Sequence, residues 1–373
     1  MSTLVADVKA DSRFIGLMSG TSLDGVDAAL VCFTSDGHPT FEGSHFLPFS
    51  ELLQHELIAI NTSGNNEIER SALLANQLSK LYAACIDGLF ESSRLTASDI
   101  TAIGCHGQTI RHRPELGYTS QIGNAALLAE LTGITVVSDF RSRDIAAGGE
   151  GAPLVPAFHL ALFADPRVHR VIINLGGISN VTDLPPSNVV TGFDCGPANL
   201  LLDEWVHRHT GQRYDKNGAW ASTGQLIPEL LQSMLQHPFL HQLPPKSTGR
   251  DTFNMAWLSS QLISTYAPAD VQATLVEFAA RCIVDAINQY AKSAKEFYLC
   301  GGGAHNTALT SRLQELLGDR KVLLTDELGI AADWVEAAAF AWLARQTLIG
   351  AHGNLPAVTG ASGGRVLGAI YPA

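Results

Sequence analysis

Hydrophobic and polar positions along the chain form short blocks that predict strands separated by glycine-rich turns. Residues 14–18 and 26–32 are mostly apolar, and a stretch rich in Gly, Ser and Thr lies between them, which predicts a β-hairpin with a small polar tip. The same pattern returns at 171–175 and 181–184 around a Gly-Gly turn. This repetition suggests a duplicated α/β architecture, although any α/β protein contains turns of this kind.

Longer stretches with apolar residues at helical spacing predict the helices that accompany these strands. The predicted helices cover 50–61, 66–92 and 270–292, with another beginning near Asn306, and further strands are predicted at 100–105 and 296–300. Residues 335–349 are apolar apart from Glu336, Arg345 and Gln346, which predicts a buried amphipathic helix and not a membrane span.

The chain has 373 residues, more than one typical hydrophobic core requires, so we expect two domains. Hydrophobic residues make up 46% of the chain and charged residues 16%, a balance that is typical of a well-packed enzyme and argues against disorder. We expect residues 1–145, together with about 353–373, to form the first α/β lobe and residues 146–352 to form the second. The glycine-rich segment at 148–153 is predicted to be a flexible connector on which the lobes pivot.

The charge balance narrows the classes of partner. The formal net charge is −12, from 36 acidic and 24 basic residues. The sequence contains no segment rich in Lys or Arg that could bind along a phosphate backbone. We therefore expect no nucleic-acid partner. An anionic nucleotide would have to be held by glycine amides, helix N-termini and a metal ion.

Several features predict a cytoplasmic protein with no membrane association. The first 13 residues are polar and lack the apolar core of a signal peptide, and no window approaches 18 uninterrupted apolar residues. The six cysteines form no Cys-x-x-Cys pair, which favours free thiols in a reducing compartment and argues against a structural zinc site.

Phosphate binding is predicted at glycine-rich tips because neither a P-loop nor a dinucleotide fingerprint is present. Small residues offer backbone N–H groups and hydroxyls at the first hairpin tip, where Asp24 or Asp27 would hold Mg²⁺ directly or through water. Taken alone, this segment is better interpreted as an ordinary hairpin turn, and the second tip favours the phosphate site. A second tip and a Gly-Gly-Gly turn that leaves room for a flat base complete the expected ATP site. The residues expected to bind ATP and its phosphates are Gly20, Thr21, Ser22, Leu23, Asp24, Gly25, Val26, Asp27, Asn174, Gly176, Gly177, Gly301, Gly302 and Gly303.

Asp194 is the strongest candidate for a catalytic group. It lies at a strand end between Gly192 and Gly196, just before a predicted helix start at Pro197. A lone aspartate in this position is commonly a helix cap, and the alternative is a general base for phosphoryl transfer.

Five polar side chains elsewhere are candidates for binding a small carbohydrate that carries a carboxylate. The candidates are His106, Gln108, Arg141, Asp144 and Glu336. Arginine can bind a carboxylate through two hydrogen bonds, although an exposed ion pair is the commoner role of a single arginine. A histidine at a strand end and a glutamate at a helix start also have ordinary structural uses.

Five motifs, taken together, carry a resemblance to a known family. They are Met18-Ser19-Gly20-Thr21-Ser22-Leu23-Asp24-Gly25-Val26-Asp27, His106-Gly107-Gln108-Thr109, Phe140-Arg141-Ser142-Arg143-Asp144, Asn174-Leu175-Gly176-Gly177-Ile178-Ser179-Asn180 and Gly192-Phe193-Asp194-Cys195-Gly196-Pro197-Ala198-Asn199. The motifs occur in the same order as in the anhydro-N-acetylmuramic acid kinases, and the chain resembles that family over nearly its whole length.

The resemblance implies a fold and an activity. The fold would be two ribonuclease-H-like lobes of the actin/hexokinase/Hsp70 type with a central nucleotide cleft. The first lobe would carry the phosphate hairpin and the sugar contacts, and the second the catalytic aspartate and the adenosine-binding glycines. The enzyme would be a bacterial phosphotransferase with an alcohol acceptor, acting in cell-wall recycling with ATP and Mg²⁺, and a homodimer is possible.

The resemblance also implies roles for individual groups. Asp194 would activate water to attack C1 of 1,6-anhydro-N-acetylmuramic acid while O6 takes the γ-phosphoryl group, giving N-acetylmuramic acid 6-phosphate. Two other readings stay open at this point: a phosphohydrolase of the same superfamily, such as an exopolyphosphatase-like enzyme, and an Hsp70-like or actin-like ATPase. The negative charge counts against the first, and the absence of room for a peptide-binding domain against the second.

Overall fold

The computed structural model describes residues 11–20, 22–34, 39–186, 189–250, 252–263 and 265–373. The chain forms two compact units, one reaching Leu162 and resuming at Trp334, and the other running from Phe163 to Asp333. Within the described ranges, no helix has both the length and the apolar character needed to cross a bilayer.

The first unit is an α/β structure around a mixed sheet. Its strands are β1 (Ser12–Met18), β2 (Gly25–Phe33), β3 (Pro39–Pro48), β4 (Ile100–Cys105), β5 (Gln108–Arg113), β6 (Tyr118–Ile122) and β7 (Val136–Ser138). Its helices up to this boundary are α1 (Glu51–Ile60), α2 (Glu67–Ser93), α3 (Ala125–Thr132), α4 (Ser142–Ile145) and α5 (Val155–Phe163).

The second unit follows the same plan. Its strands are β8 (Arg170–Leu175), β9 (Ile178–Leu184), β10 (Thr191–Pro197), β11 (Glu296–Cys300) and β12 (Lys321–Leu324). Its helices are α6 (Asn199–Thr210), α7 (Pro228–Leu235), α8 (Met255–Gln261), α9 (Pro268–Tyr290) and α10 (Thr307–Leu317). The chain then returns to the first unit with α11 (Val335–Leu348), α12 (Pro356–Thr359) and β13 (Ala369–Tyr371).

The two main sheets share one order of five strands, and the first sheet has β13 as a sixth strand at its edge. The first has the order β13-β7-β4-β1-β2-β3 and the second β10-β9-β8-β11-β12. In each, the first strand pairs antiparallel with the second, which pairs antiparallel with the third, and the first also pairs parallel with a later strand. This is the ribonuclease-H-like arrangement, so the predicted two-lobed α/β fold is confirmed. The nucleotide cleft between the lobes stays a prediction.

Glycines in the first sheet allow α11 to pack directly on it. A Cβ atom at Gly16 would lie 1.8 Å from the carbonyl oxygen of Ala337, and one at Gly104 would lie 2.0 Å from that of Phe340. Alanines along α11 keep the helix surface flat enough for this approach. The opposite face of the sheet is covered by buried apolar residues of α1, α2 and α3.

Two predictions about domain boundaries need correction. The predicted second lobe, 146–352, included the helix at 335–349, but α11 belongs to the first unit because it packs on β1 and β4. The predicted connector at 148–153 also lies inside the first unit, which continues to Leu162. The amides of Gly149 and Gly151 hydrogen-bond to Asp144, so this segment is a packed loop and not a free linker.

Candidate active site

The first hairpin tip is attached to the end of β4. The Ser19 Oγ atom lies 2.9 Å from Tyr82 Oη and donates to the carbonyl oxygen of Gly107 at 3.2 Å. The tip itself closes with a hydrogen bond from the Leu23 amide to the Gly20 carbonyl, and Leu23 has a φ of +60°, which is uncommon for a branched residue. The surrounding contacts therefore hold a turn that would be unfavourable in isolation.

Residues of this tip divide into exposed and packed groups. Ser22 and Asp24 are exposed, whereas Leu23 and Val26 are buried in the core of the first unit. A Cβ atom at Gly25 would lie 2.3 Å from the carbonyl oxygen of Leu47, so this glycine is required by the close approach of β3. Leu23 and Val26 are also predicted to bind ATP or its phosphates; their side chains serve packing, so only their backbone groups could contact a ligand. The predicted site residue Thr21 lies outside the described residues.

Of the two carboxylates at the tip, Asp24 is better placed than Asp27 to bind Mg²⁺. Mg²⁺ at phosphate sites usually takes one or two carboxylates, with phosphate oxygens and waters as its other ligands. Asp24 is exposed and fits this requirement, whereas Asp27 is half-buried in β2 opposite Met18 and Phe46. Over the described part of the chain, no group of three or more His, Cys, Asp or Glu side chains is placed to hold a metal. A metal here would depend on the nucleotide for most of its ligands.

Arg141, which is half-buried, and the buried His106 form a hydrogen-bonded pair in the first unit. Arg141 Nε and Nη2 both point to His106 Nε2, at 3.1 and 2.9 Å, and Arg141 Nη1 donates to the Gly151 carbonyl at 2.8 Å. His106 Nε2 must therefore accept, which leaves the ring proton on Nδ1. Burial and the adjacent guanidinium hold the pKa of His106 well below its usual range, so the imidazole is neutral.

Two buried polar atoms next to this pair lack partners among the described residues. They are His106 Nδ1, a donor, and Gln108 Oε1, an acceptor. The Nε2 amide group of Gln108 donates to the Gly20 carbonyl at 3.2 Å, which brings the hairpin tip and this cluster together. Unpaired buried polar groups are uncommon in native proteins and often mark a ligand site. A sugar hydroxyl or amide could satisfy both atoms.

Glu336 lies at the start of α11 beside this cluster. Burial raises the pKa of its carboxyl, and the charge of Arg141 opposes that rise. Burial likewise lowers the pKa of Arg141 to about 10, although Glu336 and Asp144 favour its charged form. One turn along α11, the ring of Phe340 packs on the ring of His106 with centroids 4.7 Å apart. The predicted sugar residues His106, Gln108, Arg141 and Glu336 thus belong to one region of the first unit.

Asp144 differs from the other predicted sugar residues because it has no surface. It is 0% exposed, and its carboxylate accepts from the Gly151 amide at 2.8 Å, Asn354 Nδ2 at 2.6 Å and Thr359 Oγ1 at 2.8 Å. A sugar could not reach a carboxylate that is enclosed in this way. We therefore correct the prediction: Asp144 joins the loop after α4 to the C-terminal segment.

Asp194 occupies a β-bulge in β10 of the second unit. The register of β10 against β9 shifts between Asp194 and Gly196, and such bulges redirect side chains. The carboxylate accepts from Ser247 Oγ at 3.0 Å and from the Thr248 amide at 2.9 Å, both through Oδ2. Its hydrogen bonds go to this loop and not to the N-terminus of α6, where Ala198 is the cap residue. The helix-cap reading of Asp194 is therefore wrong.

Burial dominates the ionisation of Asp194. It raises the pKa of the carboxyl to about 6, although the Thr248 amide, the Ser247 hydroxyl and the charge of Lys246 all oppose the rise. A carboxylate with this pKa is mostly ionised at pH 7 and binds a proton more strongly than an exposed aspartate. These are the properties of a general base.

The second glycine tip supports the start of α6. The amides of Ala198 and Leu200 donate to the Gly177 carbonyl, and the Asn199 amide donates to the Gly176 carbonyl. Asn199 Nδ2 donates to the Gly176 carbonyl as well, at 3.0 Å. The tip at 176–177 is therefore fixed against the helix that follows Asp194.

The three consecutive glycines after β11 have different roles. A Cβ atom at Gly301 would lie 2.4 Å from Asn174 Oδ1, and one at Gly303 would lie 2.8 Å from atoms of Leu175 and Asn199. A Cβ atom at Gly302 would meet nothing within 4 Å, and Gly302 is exposed. Gly301 and Gly303 are thus required by packing, and Gly302 is the one open to a ligand.

Sequence reasoning missed four residues of these sites. Ser247 and Thr248 contact Asp194, and Asn354 and Thr359 contact Asp144. Ser247, Thr248 and Asn354 lie outside helices and strands, and Thr359 ends the four-residue helix α12; all four are far along the chain from their partners. The Lys246-Ser247-Thr248-Gly249-Arg250 stretch, between apolar segments, was the only local signal.

Comparisons with known proteins agree on one family. The model of a family described as anhydro-N-acetylmuramic acid kinase matches residues 12–373. The protein of that name from Nitrosomonas europaea is 55% identical over 364 residues, which cover 96% of this chain and 99% of that protein. The one from Nitrosospira multiformis is 56% identical over 362 residues, again covering 96% and 99%.

A solved structure is similar over most of the chain. Component A of (R)-2-hydroxyglutaryl-CoA dehydratase from Acidaminococcus fermentans aligns with 90% of this chain and 99% of its own, with a TM-score of 0.49 and 14% identity.

Proposed function

Because the chain belongs to the anhydro-N-acetylmuramic acid kinase family, we propose that it uses ATP to convert 1,6-anhydro-N-acetylmuramic acid to N-acetylmuramic acid 6-phosphate. It is a phosphotransferase that acts on an amino sugar, and its place is the recycling of peptidoglycan. The observation that carries the chemical step is Asp194, a half-buried carboxylate held on one oxygen by Ser247 and Thr248.

The reaction requires a base for water. An anhydro sugar has no free 6-hydroxyl, so its C1–O6 bond must break before or while O6 attacks phosphorus. Asp194 takes a proton from water as the new bond between water oxygen and C1 forms. The released O6 then bonds to the γ-phosphorus of ATP, and the bond from that phosphorus to the β-phosphate oxygen breaks to give ADP.

The groups of the first unit bind the substrates in this proposal. Ser22 and Asp24 at the exposed hairpin tip face the phosphates, and Asp24 is the side chain best suited to hold Mg²⁺. Mg²⁺, when bound, neutralises charge on the phosphates. In the second unit, Gly302 leaves room for the adenosine.

The sugar is bound by the cluster around Arg141. His106 Nδ1 and Gln108 Oε1 are a buried donor and a buried acceptor that sugar polar groups would satisfy. Arg141 is already engaged with His106 and Gly151, so its contribution to a substrate carboxylate is chiefly electrostatic. Glu336 balances that charge.

The test measures ADP release by purified protein with ATP and Mg²⁺, with and without the anhydro sugar, and identifies the sugar product by mass spectrometry. We expect ADP and a 6-phosphorylated reducing sugar in equal amounts. An Asp194→Asn variant should lose nearly all turnover while it still binds ATP. Asp285→Asn, an exposed aspartate on α9, is the matched control and should keep full activity.

Two outcomes would contradict the proposal. Phosphate release that is independent of sugar would favour a phosphohydrolase. An active Asp194→Asn variant would show that this carboxylate is not the base.

Location and assembly are proposed on the family resemblance alone. We propose that the enzyme works in the cytoplasm and forms a homodimer. Light scattering on the purified protein, which gives the molar mass in solution, tests the dimer.

A further inference from the structure

The loop that contacts Asp194 is itself fixed at several points. The Lys246 carbonyl accepts from the Asp194 amide at 3.1 Å, so the loop pairs with the backbone of the bulge. Lys246 Nζ donates to the carbonyls of Phe239 and Leu240, at 3.2 and 3.1 Å, and lies 4.8 Å from the ring centroid of Phe239. Ser247 and Thr248 therefore follow a residue that is anchored at its backbone and at its side chain.

Both hydrogen bonds from the loop end on the same carboxylate oxygen. Ser247 Oγ and the Thr248 amide donate to Oδ2 of Asp194, and none of the described residues donates to Oδ1. Rotation about the Cβ–Cγ bond would move Oδ2 away from both donors. The two hydrogen bonds on this oxygen therefore fix the plane of the carboxylate. They also leave Oδ1 as the oxygen that can accept a proton from a ligand.

We propose that Ser247 is a positioning residue which, together with the Thr248 amide, holds Oδ2 of Asp194 so that Oδ1 takes the proton from water. This inference rests on the proposed function, because it assumes that Asp194 is the base. Ser247 acts through Asp194 and need not touch the sugar.

The same hydrogen bonds tune the ionisation of the base. Burial raises the pKa of Asp194 and the two donors oppose that rise, since each stabilises the charged form. When the Ser247 hydroxyl is removed, one opposing contact is lost and the pKa must rise further. The acidic limb of the activity profile must then move to higher pH. A purely structural serine would not produce this change.

The experiment compares kcat and kcat/KM between pH 5 and 9 for the wild-type enzyme and three variants. Ser247→Ala removes the hydroxyl, and Ser247→Thr restores it. Ser233→Ala is the matched control, because Ser233 is an exposed serine of the same unit whose hydroxyl donates to Gln261 at 2.7 Å. Ser247 is exposed, so its variants are expected to fold.

We expect Ser247→Ala to move the acidic midpoint upward by roughly 0.5 to 1 pH unit, the size of one hydrogen bond to a charged group that competes with water. Below the midpoint its kcat/KM falls by about three- to tenfold relative to wild type, as this shift requires. Ser247→Thr and Ser233→Ala keep the wild-type profile.

A second measurement does not depend on turnover. The carboxyl carbon of Asp194 is followed by ¹³C NMR in aspartate-labelled protein, and Asp194→Asn identifies its signal. The titration midpoint should rise in Ser247→Ala and in neither control. An unchanged titration and an unchanged pH profile in Ser247→Ala would overturn the proposal, as would an equal loss of activity at every pH with an unchanged titration.

The failure of this inference can be told from the failure of the proposed function. An inactive Asp194→Asn together with an unmoved Ser247→Ala refutes only the positioning role. An active Asp194→Asn refutes the base itself, and the role of Ser247 falls with it.

Discussion

Replacement of Asp144 should destabilise the first unit, because its carboxylate holds three donors and does not contact the sugar. The carboxylate is fully buried, and Oδ1 accepts from Asn354 Nδ2 and Thr359 Oγ1 while Oδ2 accepts from the Gly151 amide. In Asp144→Asn the side chain keeps one acceptor oxygen. Its new NH₂ group then faces a donor wherever it points.

The magnitude follows from the number of contacts. A hydrogen bond to a charged group contributes about 1.5–3 kcal/mol, and an orphaned buried donor costs about 1–3 kcal/mol. With Oδ1 retained, Asp144→Asn loses the Gly151 contact and gains a donor facing a donor, so we expect about 2–3 kcal/mol. Asp144→Ala orphans all three donors, and we expect about 3–5 kcal/mol, because such losses are not additive.

The assay is urea unfolding combined with hydrogen exchange read by mass spectrometry. Exchange should accelerate in the peptides that contain Gly151 and Thr359, because their donors lose the shared acceptor. Asp24→Asn, which changes an exposed aspartate of the same unit, is the stability control. If Asp144→Asn kept wild-type stability and exchange but raised KM for the sugar, Asp144 would be a ligand residue and our correction would be refuted.

Three further predictions test other parts of the site. Gly303→Ala should destabilise the second unit by about 1–3 kcal/mol in urea unfolding, because its Cβ atom would overlap Leu175. Gly302→Ala should fold normally and raise KM for ATP. A wild-type KM for ATP in Gly302→Ala would contradict the proposed role of Gly302. Because burial raises the pKa of Asp194 to about 6, its base form is lost as pH falls, so log kcat/KM should decline by about one per pH unit well below pH 6, and a flat profile would exclude this base. Arg141→Lys should raise KM for the sugar roughly tenfold and leave KM for ATP unchanged, because lysine cannot reproduce the paired contacts of Arg141 to His106. Steady-state kinetics measures both constants, and an unaltered KM for the sugar would show that the arginine is dispensable.

The sequence alone predicted the features that depend on neighbouring residues. The strands expected at 100–105 and 296–300 coincide with β4 and β11, and the expected hairpins correspond to β1–β2 and β8–β9. Strand and helix periods are local, so one pass along the chain reveals them. The motifs that carry the family resemblance are short and local in the same way.

Only the tertiary structure decided which separated segments meet. Two of the three donors that enclose the Asp144 carboxylate are more than 200 positions away, with separations of 210 to Asn354 and 215 to Thr359, so no local pattern could distinguish it from an exposed sugar ligand. Likewise Ser247 reaches Asp194 across 53 positions, from a loop without any period. The position of α11 in the first unit depends on Gly16 in β1 and Gly104 in β4, which allow the helix backbone to approach the sheet. In each case the outcome depends on packing and hydrogen bonding between distant segments, which only the folded chain brings into contact.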